Sequence, residues 1–175
     1  IDILLKTYYV NWVKDAVNRD FSGSVRKDML EITSALYELS NIYNAFRYKA
    51  FSGADYEESS HTLFPVPSKM TRLKFSELMN TESAERYLEV LKTTGYGRRM
   101  NEENSDISRA TISHDIETLK NKLAKSYLRK STNAAVSIYT ILFLLTTEVK
   151  NIVTIIEGIR YGVPVQSIEE LLVIV

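Results

Sequence analysis

Residues able to do chemistry are few in this chain, and their spacing suits none of the common reactions. His61 and His114 stand far apart, and neither has a carboxylate or a second histidine at metal-ligand spacing. Each reads as an ordinary surface or helix-end residue. Cysteine is absent, which excludes disulfides and thiolate metal sites. Gly95-Tyr96-Gly97 lacks the lysine and the strand context of a phosphate-cradling loop. Glu57-Glu58 and Glu102-Glu103 read as solvated charge, and Arg98-Arg99 is too small a basic spot for nucleic acid. Acid–base work by paired carboxylates needs a pocket, and no pocket can be read from the sequence. The expectation is no catalytic residue, no cofactor and no metal.

The polar residues that stand out are instead a pair that occurs twice. Glu38-Leu-Ser-Asn41-Ile42 runs on to Gly53, and Glu148-Val-Lys-Asn151-Ile152 runs on to Gly162. Both Glu38 to Glu148 and Asn41 to Asn151 span 110 positions. With one residue deleted, Gly53 falls on Gly162, Leu63 on Leu172 and Phe64 on Val173. Each copy reads as a long apolar helix, a glycine break and a short helix, a unit that must stack against others to bury its apolar face. Glutamate and asparagine three apart lie on adjacent turns of one helix face. An amide buried in an apolar helix must find partners. The pair is therefore read first as an anchor for a neighbouring loop or helix end, and second as a contact for a partner protein.

The elements that must position these residues are helices. Glycine and proline number six and three, and Asn-Gly and Asp-Gly hairpin signals are missing. A first helix is predicted over about Asp2 to Arg19, with Leu5, Tyr8, Trp12 and Ala16 on one face. Ser24 is read as the cap of the second helix. That helix carries Met29, Ile32, Leu36, Leu39, Tyr43, Phe46 and Ala50 as a packing seam. A short helix around Asp55 to Leu63 follows, closed by Pro65-Val-Pro67. Thr71 and Thr81 are read as caps of two further short helices, and Gly95-Tyr96-Gly97 as a stop and turn. Asn101 to Ser105 is the expected linker, dividing a first helical lobe over 1–100 from a shorter one over 101–175. A long helix carrying Ile112, Ile116, Leu119, Leu123 and Tyr127 leads through Ser131-Thr-Asn133 to the second-copy helix, Ala134 to Tyr161. There Leu142, Val149 and Ile156 take the places of Ile32, Leu39 and Phe46. The apolar run at Ile138 to Leu145 is too short before Glu148 and Lys150 to span a membrane, and is read as buried core. Pro164 suits the first turn of the last helix.

Composition is that of a globular protein: 45% hydrophobic and 25% charged residues over 175 positions. Zero net charge argues against a general grip on nucleic acid or a basic membrane-surface patch. The chain begins at Ile1 without methionine and ends on Leu171-Leu-Val-Ile-Val175, so a fragment of a longer protein is expected.

Several stretches together resemble a known family. Tyr37-Glu-Leu-Ser-Asn41-Ile with Arg47-Tyr-Lys49 and Gly53 is similar to the C subunit of archaeal and bacterial A/V-type ATPases, the counterpart of eukaryotic V-ATPase subunit d. So are Leu91-Lys-Thr-Thr-Gly-Tyr96-Gly97, Glu148-Val-Lys-Asn151-Ile with Gly158 and Gly162, Ile168-Glu-Glu-Leu171, and the opening Ile1-Asp2 with Tyr8-Tyr9. The resemblance covers essentially the whole chain, as roughly the C-terminal half of a full subunit. Departures occur: the family's acidic residue before the asparagine is Ser40 in one copy and Lys150 in the other, and Arg47 meets Glu157. The resemblance implies an all-α funnel of three similar helical lobes, of which this chain supplies one and much of another. It also implies a non-catalytic, cytoplasmic, membrane-peripheral part without a transmembrane segment of its own. Such a part couples the central-shaft subunits to the rotor-ring subunits and transmits torque between ATP turnover and ion movement. A generic helical scaffold or adaptor is the alternative. The paired residues Glu38, Asn41, Gly53, Glu148, Asn151 and Gly162 are the positions expected to matter for the architecture.

Overall fold

With few breakers in the chain, helix is the default, and every regular element among the described residues is an α-helix. The computed structural model describes residues 2–53, 55–60, 63–66, 70, 72–101 and 107–174. In order the helices are α1 (Asp2–Asp20), α2 (Gly23–Ser52), α3 (Tyr56–Ser59), α4 (Arg72–Met79), α5 (Ala84–Thr93), α6 (Gly95–Asn101), α7 (Ile112–Lys130), α8 (Ala134–Arg160) and α9 (Val165–Leu171). The all-α class expected from periodicity is the class found. The chain divides into two units, Ile1–Ile116 and Glu117–Val175.

In the first unit α2 is the axis. At thirty residues it extends about 45 Å at 1.5 Å per residue. Met29, Ile32, Leu36, Leu39 and Phe46 of the expected seam are buried, while Tyr43 and Ala50 lie at its margin. Gly53 ends the helix in the left-handed conformation, φ 68°, where a side chain would be strained. At the other end Ser22, not Ser24, holds the N-cap place with extended backbone. The helix starts two residues earlier than expected, with Gly23 at a positive φ of 57° turning the chain directly into it.

Helix α5 lies on this seam. Tyr87 is wholly buried, packs its ring 5.8 Å from that of Phe46 and donates its hydroxyl to the Ile42 carbonyl at 2.9 Å. That burial holds the phenol proton far more tightly than in water. The cap of α5 is Ser83, whose hydroxyl accepts the Arg86 N–H; Thr81, the expected cap, donates to Leu78 and closes α4 instead. Gly95-Tyr96-Gly97 does follow the end of α5, but it also begins α6 rather than only turning the chain. Gly97 is what allows this: a Cβ there would lie 2.0 Å from the Leu91 carbonyl oxygen. On α1 the buried residues are Val10 and Val17, and the face of Leu5, Tyr8 and Trp12 is exposed. The spacing of those three is helical, but it is the valine stripe of α1 that faces Leu30, Thr33 and Ser34 of α2.

In the second unit α9 folds back on α8. The turn is a Schellman motif: the Val163 N–H reaches the Gly158 carbonyl at 2.9 Å and the Gly162 N–H reaches Ile159 at 3.1 Å, with Gly162 at φ 67°. Pro164 precedes α9 at its N-cap rather than in its first turn. Gly158 leaves room for Ile168, whose side chain lies 2.6 Å from where a Cβ would be. Val136, Thr140, Leu144 and Thr147 form the buried face of α8. Leu142, Val149 and Ile156 are exposed, which corrects the expectation of a core helix. α8 is also long and apolar enough to cross a membrane by length and composition. Residues 102–105 of the expected linker and the expected cap Thr71 lie outside the described residues.

Gly97→Ala is expected to destabilise the first unit by about 1–3 kcal/mol, because backbone rather than a movable side chain blocks the methyl group. Gly95→Ala, with open space around it, serves as the control. Urea midpoints that fall equally for both would show that α6 does not depend on this close approach.

Candidate functional site

Two turns of α2 make long-range hydrogen bonds to three other segments of the first unit. Glu38 is only 2% exposed. One carboxylate oxygen accepts the Met70 N–H at 2.8 Å, and the other accepts the Tyr96 hydroxyl at 2.6 Å. One turn on, the Asn41 amide donates to the Phe64 carbonyl at 3.0 Å and accepts the Phe64 N–H at 2.7 Å. A side-chain amide thus pairs with a backbone residue in both directions, as another extended strand would. The Phe64 ring lies edge-on to Tyr37 at 5.1 Å, so the loop is held on both sides of α2's polar stripe. The i, i+3 spacing puts both polar groups on one flank, beside the buried seam and not within it.

The second unit repeats one of these devices. Asn151 donates to the Val173 carbonyl at 2.7 Å and accepts its N–H at 3.1 Å. Val173 is the residue that the sequence correspondence sets opposite Phe64. The two spans differ by the one residue deleted between the copies: 23 positions from Asn41 to Phe64 and 22 from Asn151 to Val173. Gly53 and Gly162 carry nearly the same left-handed φ. Glu148 differs from Glu38, since it lies exposed. Met70 and Tyr96 went unnoticed as partners of Glu38. A core-flanking acid signals that donors must exist, but nothing in the sequence links it to a tyrosine 58 positions away.

A charge cluster supports the second unit. Glu117 bridges Lys120 at 2.6 Å and Lys150 at 3.3 Å, tying α7 to α8. Burial works to raise the Glu117 carboxyl, but Lys120 and then Lys150 outweigh it and hold the group below the usual carboxylate range. Burial lowers Lys120 further than Glu117 can raise it.

Among the described residues no group of three His, Asp or Glu side chains could hold a metal. His114 sits in the first turn of α7, and His61 lies outside the described residues. A hollow of about 510 Å³ beside α6 is lined by Lys74, Arg98, Arg99 and Tyr96, with no carboxylate or histidine among the described residues there.

Two outcomes follow for stability. Asn41→Ala should cost about 1–3 kcal/mol, since it strands both polar groups of Phe64, and Asn151→Ala should cost less because that amide is only half buried. Equal urea midpoints for wild type and Asn41→Ala would show that the clamp carries no weight. Because the folded Glu117 carboxyl sits below its unfolded range, its contribution is complete above that range and is lost as pH falls through it. Glu117→Gln should therefore flatten the acid limb of stability against pH, and an unchanged limb would refute the cluster's role.

A protein-family model described as ATP synthase (C/AC39) subunit matches residues 1–171. No curated protein and no solved structure matches the chain significantly. The match spans nearly all of the chain, including both Glu-x-x-Asn segments and the loop held at Phe64, and so the chain belongs to the ATP synthase (C/AC39) subunit family.

Proposed function

We propose that this chain is a non-catalytic coupling piece of a rotary A/V-type ATPase, joining the central-shaft subunits to the membrane rotor ring so that torque passes between ATP turnover and ion transport. The family match over residues 1–171 carries this reading. The family is one of ATP synthase subunits, which supports a place in such an ATPase. On this view the chain forms part of a three-lobed funnel, peripheral to the membrane on its cytoplasmic side.

The construction of the first unit supports the reading. A coupling part must resist twisting, and packed interiors transmit strain because they deform little. Helix α2 is braced near its middle by Glu38, Asn41 and the Tyr87 hydroxyl bond to Ile42, each joining it to a different segment. Chemistry in these positions stiffens and does not transform a substrate.

The test is a reconstitution. The protein should co-purify with both shaft and ring subunits, and ATP hydrolysis by the assembled complex should lose its coupling to ion movement when the protein is left out. Binding to neither set, or unchanged coupling without it, would overturn the proposal.

A further inference from the structure

The hollow beside α6 gathers positive charge in a chain whose net charge is zero. Lys74 of α4 and Arg98 and Arg99 of α6 border it, and no described residue of its lining is acidic. Elsewhere Arg19, Arg86 and Arg109 each hold a carboxylate, on Asp20, Glu89 and Glu85. Arg98 and Arg99 are exposed, and neither guanidinium makes an ion pair or hydrogen bond among the described residues. Like charges held side by side repel, and an anion between them relieves both. Lys74 holds Glu77 at 2.9 Å in a surface pair of the kind that water and salt weaken, so it is free to turn to an anion. The backbone that carries the arginines is already fixed. Gly97 lies against the end of α5, and the Thr94 hydroxyl donates to the Leu91 carbonyl at 2.7 Å while accepting the Gly97 N–H at 3.1 Å. The Tyr96 hydroxyl is held by Glu38. A ligand therefore has little of this wall left to order.

We propose that this hollow binds a small molecule carrying two or more linked phosphate groups. At about 510 Å³ it is of ligand size. A guanidinium is a planar fork that takes phosphate oxygens two at a time, and linked phosphates present several such edges in a small volume. A carboxylate offers one edge and one charge, so an acidic peptide leaves most of the charge around the hollow unmatched. A strand of nucleic acid needs a longer basic track than these residues supply. Met70 and Tyr96 also border the hollow and suit the organic part of a phosphate ester. The carboxylates nearby are Glu77, bonded to Lys74, and Glu38, which stands behind Met70 and Tyr96 with an oxygen bonded to each. A free polyphosphate and the headgroup of a phosphoinositide share the required chemistry. The inference rests on this hollow alone and is independent of the coupling role.

The test is a calorimetric titration of the whole chain with sodium tripolyphosphate at about 0.15 M salt, where loose surface attraction is screened. One saturable site is expected. Arg98→Gln with Arg99→Gln should raise its Kd about tenfold or more, since hydrogen bonds between charged groups are lost. The control is Arg26→Gln with Lys27→Gln, an exposed basic pair at the start of α2 that removes the same charge away from the hollow. It should change Kd less than about twofold. No saturable binding, equal weakening by both pairs, or equal affinity for a hexaglutamate peptide would overturn the proposal. Should the arginine variant fail to fold, Lys74→Gln decides in its place, with a severalfold loss of affinity expected and an unchanged Kd refuting the site. Co-sedimentation with phosphatidylcholine vesicles containing phosphatidylinositol bisphosphate then assigns the source. Sedimentation that tripolyphosphate competes away and the arginine variant loses assigns a lipid headgroup. Tripolyphosphate binding without sedimentation, or with sedimentation that the arginine variant retains, assigns a free ligand.

Discussion

A carboxylate and an amide sunk into the flank of a long helix have to be satisfied, and that requirement organises the first unit. Leaving such groups without partners in a low-dielectric interior costs more than their bonds contribute when made. The loop at Phe64, the backbone N–H of Met70 and Tyr96 at the start of α6 are all fixed to α2 by meeting it. Apolar packing gives the bundle its stability, but it is indifferent to small slips along a helix. The polar contacts are not, since each is made at one register only.

Close backbone approach is the second constraint, and it falls on a few glycines. Gly97 lets α6 lie on the end of α5, and Gly158 gives Ile168 of α9 its seat on α8. Gly53 and Gly162 differ in kind: open space surrounds both, and what they provide is a left-handed turn. The two kinds look alike in sequence and do different physical work.

The units also show how one segment serves two environments. Asn151 makes the bonds that Asn41 makes, so the clamp depends only on its own helix and the returning chain. Burial of the seam depends on further helices, and there the copies diverge. A surface as apolar as the outer face of α8, continuous over several turns, is unusual for a protein that meets only water. It fits a subunit of an assembly.

Much of this was legible in the residues alone. Helix content, the bounds of α1, α2 and α8 to within a turn, the seam of α2, and the correspondence of Phe64 with Val173 follow from periodicity and spacing, because these are local properties of the chain. The caps were less legible: Ser22, Ser24, Thr81 and Ser83 all have capping chemistry, and which one acts depends on where the neighbouring backbone lies. The partners of Glu38, the choice of valines over aromatics as the inner face of α1, and the openness of α8 were decided only by tertiary structure. Each turns on what packs against an element from far along the chain, and a helical period records that an apolar face exists without recording whether anything covers it.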